Sequence, residues 1–263
     1  MRGVEGAEEA ALRALALCRD RGLKTDAELC IHRGNQDCLP QTIAALGRAG
    51  VTHVKASNVA MTKLWRQSSE GNALTDEGYL EAMIRYIPEY FKAGCPMDLV
   101  LANAIVLKRD GSWHVIAEFY DGTESCLDCH LCSNARMSCY VTPEGRLLPC
   151  MPMTSSPQQE RFPLIREIGL SRGLSDSFYM DFVGRRVQDL LAANAECAAC
   201  EYRYRCGGGC RATALLYGSH DLMGCDRIMC LLWKKGYAER IRQAAGEAAA
   251  KYAAPRAKNA GRT

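Results

Sequence analysis

Apolar positions recur at helical spacing over residues 6–22, where Leu12, Leu15 and Cys18 share one face and Gly22 stands ready to end the run. The pattern then alternates. "DAELCIH" (26–32) reads as a strand, "LPQTIAALGRAG" (39–50) as a helix closed by Gly50, and "THVKASN" (52–58) as another strand. Residues 75–94 form the longest helical stretch, with Thr75 as N-cap, acids in the first turn and Pro88 inside as a source of a kink. "MDLVLANAIVL" (97–107) and "SWHVIAEFY" (112–120) read as strands on either side of the turn "KRDG". Helix alternating with strand predicts parallel α/β layering, with too few units for a complete barrel.

From residue 121 the texture changes. Cysteines crowd in, apolar runs shorten, and turns become rich in Gly and Pro. "YVTPEGRLLPC" (140–150) reads as a hairpin around Pro143–Gly145. Residues 178–195 and 229–254 read as helices, the second closing the chain before a basic tail.

The 263 residues are 48% hydrophobic with a net charge of +3, enough for a sizeable core and without the dense basic patches that nucleic acid or a membrane surface would call for. No apolar run reaches the roughly 18 residues of a spanning helix, and the N-terminus lacks the basic-then-apolar pattern of an export signal. A cytoplasmic protein without nucleic-acid or membrane partners is expected. Fifteen cysteines are the exception to this ordinary composition. In a reducing compartment, a large odd set in a long chain points to metal or cluster ligation rather than disulfides.

The chemistry concentrates in two blocks, "CLDCHLC" (126–132) and "CAACEYRYRCGGGC" (197–210). Zinc sites are usually two paired Cys-x2-Cys knuckles. The second block has one clean knuckle, Cys197 and Cys200, followed by Cys206 and Cys210 at longer gaps, a spacing that suits two metal centres sharing one segment. Further thiols lie at Cys139, Cys150, Cys225 and Cys230. Cys18, Cys30, Cys38 and Cys95 are expected as small core residues, and His130 as a surface histidine.

The order of these residues resembles the SPASM domain, the C-terminal extension of many radical SAM enzymes that modify peptides and proteins. Cys132, twelve residues, Gly145, "RLLP" and Cys150 match its first part; Cys197, Cys200, Cys206 and Cys210 match its Cys-x2-Cys-x5-Cys-x3-Cys; Cys230 or Cys225 closes it. The resemblance implies two auxiliary [4Fe–4S] clusters. The first would take Cys132, Cys150 and Cys210 with Cys126 as fourth ligand and Cys129 in reserve. The second would take Cys197, Cys200, Cys206 and Cys230, with Cys225 as the substitute.

Residues 6–58 resemble the later part of a radical SAM partial (β/α) barrel, whose strand ends face S-adenosylmethionine and substrate. On that resemblance His32, Arg33 and Asn35 end one strand, and Lys55, Ser57 and Asn58 end the next; ordinary loop polar residues are the equal alternative. The defining Cys-x3-Cys-x2-Cys is absent from the chain. The expectation is therefore an α/β protein with a truncated radical SAM-like partial barrel over 1–120, a SPASM domain with short hairpins and helices over 121–240, and a helix end and tail over 241–263. Its cofactors would be two [4Fe–4S] clusters, with S-adenosylmethionine only in a complete enzyme. Its partners would be a precursor peptide or protein substrate, and a separate chain if one supplies the missing barrel half. A non-catalytic zinc- or cluster-binding interaction module is the competing expectation.

Overall fold

The computed structural model describes residues 5–59, 71–101, 104–117, 120–217 and 221–252. It divides into two compact units, one of residues 1–61, 65–116 and 236–263 and the other of 62–64 and 117–235.

The first unit is the alternating half. Its described elements run α1 (Ala7–Asp20), β1 (Asp26–Ile31), α2 (Leu39–Arg48), β2 (His53–Asn58), α3 (Asp76–Lys92), β3 (Asp98–Leu101), β4 (Ile105–Leu107) and β5 (Trp113–Val115), and the unit takes in the C-terminal helix Tyr237–Tyr252. The five strands form one sheet in chain order. β1, β2 and β3 are parallel, in a register that sets Glu28 beside Lys55 and Ala56 beside Leu101. Parallel neighbours need a crossover, and α2, which buries Leu39, Ile43 and Leu46, lies between β1 and β2 in the chain. α3 lies between β2 and β3 and buries eight side chains, among them Leu80, Met83, Ile87 and Phe91. Two tyrosines hydrogen-bond α3 to its surroundings: Tyr79 Oη donates to the Ala56 carbonyl, and Tyr90 Oη to that of Met97 at 3.0 Å. Thr75 caps α3, its hydroxyl accepting from the Gly78 N–H at 3.0 Å, and the helix runs on through Pro88.

The expected strand over 97–107 is instead the antiparallel pair β3 and β4, and among the described residues that over 112–120 holds only β5 at 113–115. Ala102, Asn103, Glu118 and Phe119 lie outside the described residues, as does the basic tail. The expected helix over 229–254 is two helices. Gly236, at φ 73°, separates Arg227–Lys234 from Tyr237–Tyr252. The latter buries Tyr237, Ala238, Ile241, Ala245 and Ala248 and docks on α3, where Glu81 takes both guanidinium nitrogens of Arg240 at 2.6 and 2.7 Å and the Tyr237 hydroxyl at 2.9 Å.

The second unit is built from short pieces. A 3-10 turn over Glu124–Asp128 precedes α4 (Ser133–Met137), and β6 (Tyr140–Val141) pairs antiparallel with β7 (Leu147–Leu148) in the expected hairpin, with Gly145 at φ 86° in the turn. A 3-10 turn over Met151–Ser155 follows, then a second over Pro157–Arg161 and helices α5 (Ile165–Ile168), α6 (Leu170–Gly173), α7 (Phe178–Gly184), α8 (Val187–Ala193), α9 (Ala195–Ala198), α10 (Arg203–Cys206), α11 (Arg211–Tyr217) and α12 (Arg227–Lys234). The expected helix over 178–195 is α7 and α8, broken where Arg185 turns extended at ψ 140°. Helices this short are not stable by propensity and depend on what they pack against. One apolar cluster gathers Leu147, Leu148, Phe162, Tyr179, Phe182 and Leu215. A smaller one joins Cys126, Leu131, Val187 and Leu190.

Candidate functional site

All fifteen cysteines are free thiols. In the second unit, two groups of them act on one another's thiols. Cys132 and Cys150 both pack on the larger apolar cluster. Cys132 takes the N-cap position of α4, and Cys150 that of the 3-10 turn at 151–155. Backbone N–H groups at such positions have no intrahelical partner and favour a thiolate. Burial pushes the Cys150 thiol up to about 11; the Met153 N–H works against the rise, and the nearby thiols of Cys210 and Cys132 add to it. Burial likewise raises Cys132, opposed by the Ala135 N–H and reinforced by Cys210. Cys132, Cys150 and Cys210 thus form one electrostatic neighbourhood.

The other neighbourhood contains Cys197, Cys206, Cys225 and Cys230. The Cys197 and Cys225 sulfurs stand 3.6 Å apart. Burial, then the Cys225 thiol, push Cys197 up to about 12. Burial pushes Cys206 to about 12 against a hydrogen bond from the Gly208 N–H, and Cys230 is among the groups that add to the rise. Burial raises Cys230 too, with Cys225 as the next cause. Cys200 is tied to the group by the turn in which its N–H meets the Cys197 carbonyl at 3.2 Å.

The glycines between the groups are structural necessities. Gly207, Gly208 and Gly209 have φ of 55°, 87° and 70°, a left-handed run that side chains strain. A Cβ would meet the Tyr120 ring at 207, Leu190 at 208, and Asp226 Oδ2 at 2.5 Å at 209. This bend delivers the Cys210 N–H to Asp226 Oδ2 at 2.7 Å, while Asp226 Oδ1 caps α12 through the Ile228 N–H at 2.9 Å. The loop bearing Cys206 and Cys210 is thereby fastened to the segment bearing Cys225 and Cys230.

Other candidate residues sit differently. Cys126 is 1% exposed beneath Leu131, Val187 and Leu190, and its thiol is raised by burial and then by Cys129. His130 is half-buried and accepts from Arg136 at 2.9 Å. Cys95 is buried as expected, whereas Cys30 and Cys38 are exposed, since β1 and the turn before α2 direct them outward. In the first unit, Asn35 is committed to its own loop: Oδ1 accepts from the His32 N–H at 2.8 Å and Nδ2 donates to the Cys30 carbonyl at 3.0 Å. Lys55 pairs with Glu28 across the ladder at 3.4 Å. Asn58 donates to Asp76 at 3.1 Å. Ser57, opposite Cys30 in the ladder, has a buried hydroxyl without a partner among the described residues.

Among the described residues, no three His, Cys, Asp or Glu side chains are gathered tightly enough to hold a metal ion as they stand. A single ion needs its ligands within about 4 Å of one another, whereas a four-iron core spreads them further. The free thiols of Cys132, Cys150, Cys197, Cys206 and Cys230, half-buried and raised by burial, fit the donor chemistry of such a core, whose cationic irons would reverse the penalty on the thiolates; Cys210 is exposed and Cys126 buried. Sequence reasoning passed over Arg211 and Asp226, which are 1% and 4% exposed. An arginine opening the otherwise uncharged run "RATALLY" was the available signal.

No family model matches the chain. The chain is similar to a PqqA peptide cyclase of Granulibacter bethesdensis, 26% identical over 227 residues that cover 84% of this chain. The match takes in 54% of that cyclase, so the chain spans about half its length. No helix among the described residues is long and apolar enough to cross a membrane.

Proposed function

We propose that the chain is the auxiliary-cluster portion of a radical SAM enzyme that modifies a ribosomally made peptide or a protein side chain. The observation that carries this reading is the separation of the thiols into two neighbourhoods, Cys132–Cys150–Cys210 and Cys197–Cys206–Cys225–Cys230. Along the sequence they interleave as the two SPASM ligand sets do, with Cys225 in the place of Cys200. The similarity to a peptide cyclase supports a peptide as substrate.

The first cluster takes Cys132, Cys150 and Cys210, with Cys126 as fourth ligand and Cys129 in reserve. The second takes Cys197, Cys200, Cys206 and Cys230, with Cys225, whose sulfur stands 3.6 Å from that of Cys197, as the substitute. When bound, the clusters supply electron transfer or a peptide contact near the radical centre of a complete enzyme. The protein's own part is to hold Cys132, Cys150, Cys197, Cys200, Cys206 and Cys230 half-buried and to aim N–H groups of Met153, Ala135 and Gly208 at Cys150, Cys132 and Cys206. Without Cys-x3-Cys-x2-Cys in its sequence, this chain by itself does not cleave S-adenosylmethionine. The enzyme works in the cytoplasm.

One distance favours the zinc reading. Two thiolates on one tetrahedral zinc, at a metal–sulfur length of about 2.3 Å, stand about 3.8 Å apart. The Cys197–Cys225 separation of 3.6 Å is close to that. Iron, acid-labile sulfide and zinc analysis of the anaerobically reconstituted chain separates the two. The cluster reading expects about eight irons with matching sulfide. About two zincs without sulfide overturn it in favour of an interaction module.

A further inference from the structure

Arg211 follows Cys210 directly and is 1% exposed. Burying a guanidinium costs several kcal/mol unless its donors are satisfied and its charge is compensated. Nη1 donates to the carbonyls of Leu222 at 3.0 Å and Gly224 at 2.8 Å, and Nη2 to the Gly208 carbonyl. These bonds stitch the triple-glycine bend to the residues just before Cys225. All three acceptors are neutral. Nε is buried and has no hydrogen-bond partner among the described residues. The Asp226 carboxylate feels the charge, yet its oxygens accept from the N–H groups of Cys210, Ile228 and Met229. Thiols feel the charge too, among them Cys132 of one neighbourhood and Cys197 and Cys206 of the other. An interior cation with a spare N–H is thus held by the Gly208 carbonyl, between Cys206 and Cys210, and by the Gly224 carbonyl, next to Cys225, on the backbone that carries members of both thiol sets.

We infer that Arg211 is a positioning residue shared by both cysteine groups: its guanidinium is the counter-charge for the thiolate-bound centres on either side and sets the reduction potential of both. This rests on the cluster reading above. A centre ligated by thiolates becomes more negative when it accepts an electron, so a fixed neighbouring cation favours the reduced form.

The test uses the full chain, anaerobically loaded with iron and sulfide, as wild type, Arg211→Lys and Arg211→Gln. Midpoint potentials come from mediated dithionite titration followed by electron paramagnetic resonance, with iron counted on each sample. Arg211→Gln should lower both potentials by about 59 mV or more, a tenfold change in a one-electron reduction constant. Arg211→Lys, which keeps the charge, should stay nearer wild type. Unshifted potentials in a fully loaded Gln variant overturn the inference, and a shift in one centre alone overturns the shared placement. If the Gln variant takes up no iron, full uptake by the Lys variant supports the charge role and equal failure contradicts it. A wild type that takes up no iron overturns the cluster reading and this inference with it, an outcome distinct from a loaded wild type with unaffected variants.

Discussion

Gly209 holds its backbone at φ 70° with Asp226 Oδ2 2.5 Å from where a Cβ would sit. The left-handed conformation alone costs an alanine about 1–2 kcal/mol, and the contact with Asp226 adds to it. Gly209→Ala should therefore destabilise the second unit by at least that much in thermal melts. Gly184→Ala, which meets no atom within 4 Å, should be neutral or slightly stabilising. The thiols predict a pH dependence of the metal-free chain. Cys150 and Cys206 rise from 9.0 to about 11 and about 12, chiefly through burial. The unfolded chain then loses these protons first, so their contribution is complete below pH 9 and is lost as pH climbs through the folded values. Denaturant midpoints should fall between pH 9 and pH 12, and Cys206→Ser should flatten that fall. An unchanged slope would place the sensitivity elsewhere.

At the scale of elements, the Thr75 hydroxyl gives the Gly78 N–H its acceptor at 3.0 Å. Thr75→Ala should cost about 1 kcal/mol, and a Ser replacement should restore most of it in the same melts. α3 was legible in the sequence because its cap, its acids and its apolar face all agree. The hairpin at 140–148 was legible through Pro143 and Gly145. What the sequence did not reveal were interruptions. The two breaks, at Arg185 and Gly236, fall within runs whose apolar periodicity barely changes, because each flanking helix buries its own face. The two ligand sets are what the resemblance of the cysteine order implies. Arg211 was not legible, because periodicity says nothing of a charge whose acceptors are the carbonyls of Gly208, Leu222 and Gly224.

For the whole molecule, the two units differ in what holds them. The first has a five-stranded sheet and helices of up to 17 residues. Among the described residues, the longest helix in the second has 8 residues, and its apolar clusters are small. Small cores with short elements gain much of their stability from cross-links or metal. Loading iron and sulfide should thus slow amide exchange at Leu190 and Leu215 at least tenfold, about 1.4 kcal/mol, while Val54 and Leu99 change little. Equal protection throughout would argue that loading acts on the chain as a whole.

The two cysteine groups should carry two independent centres. Counting iron in the anaerobically reconstituted Cys150→Ser and Cys206→Ser chains tests their independence most directly. Each should keep about four irons with matching sulfide, half of what the wild type binds. A variant that keeps all of the iron, or loses all of it, would contradict the assignment of Cys150 and Cys206 to separate centres.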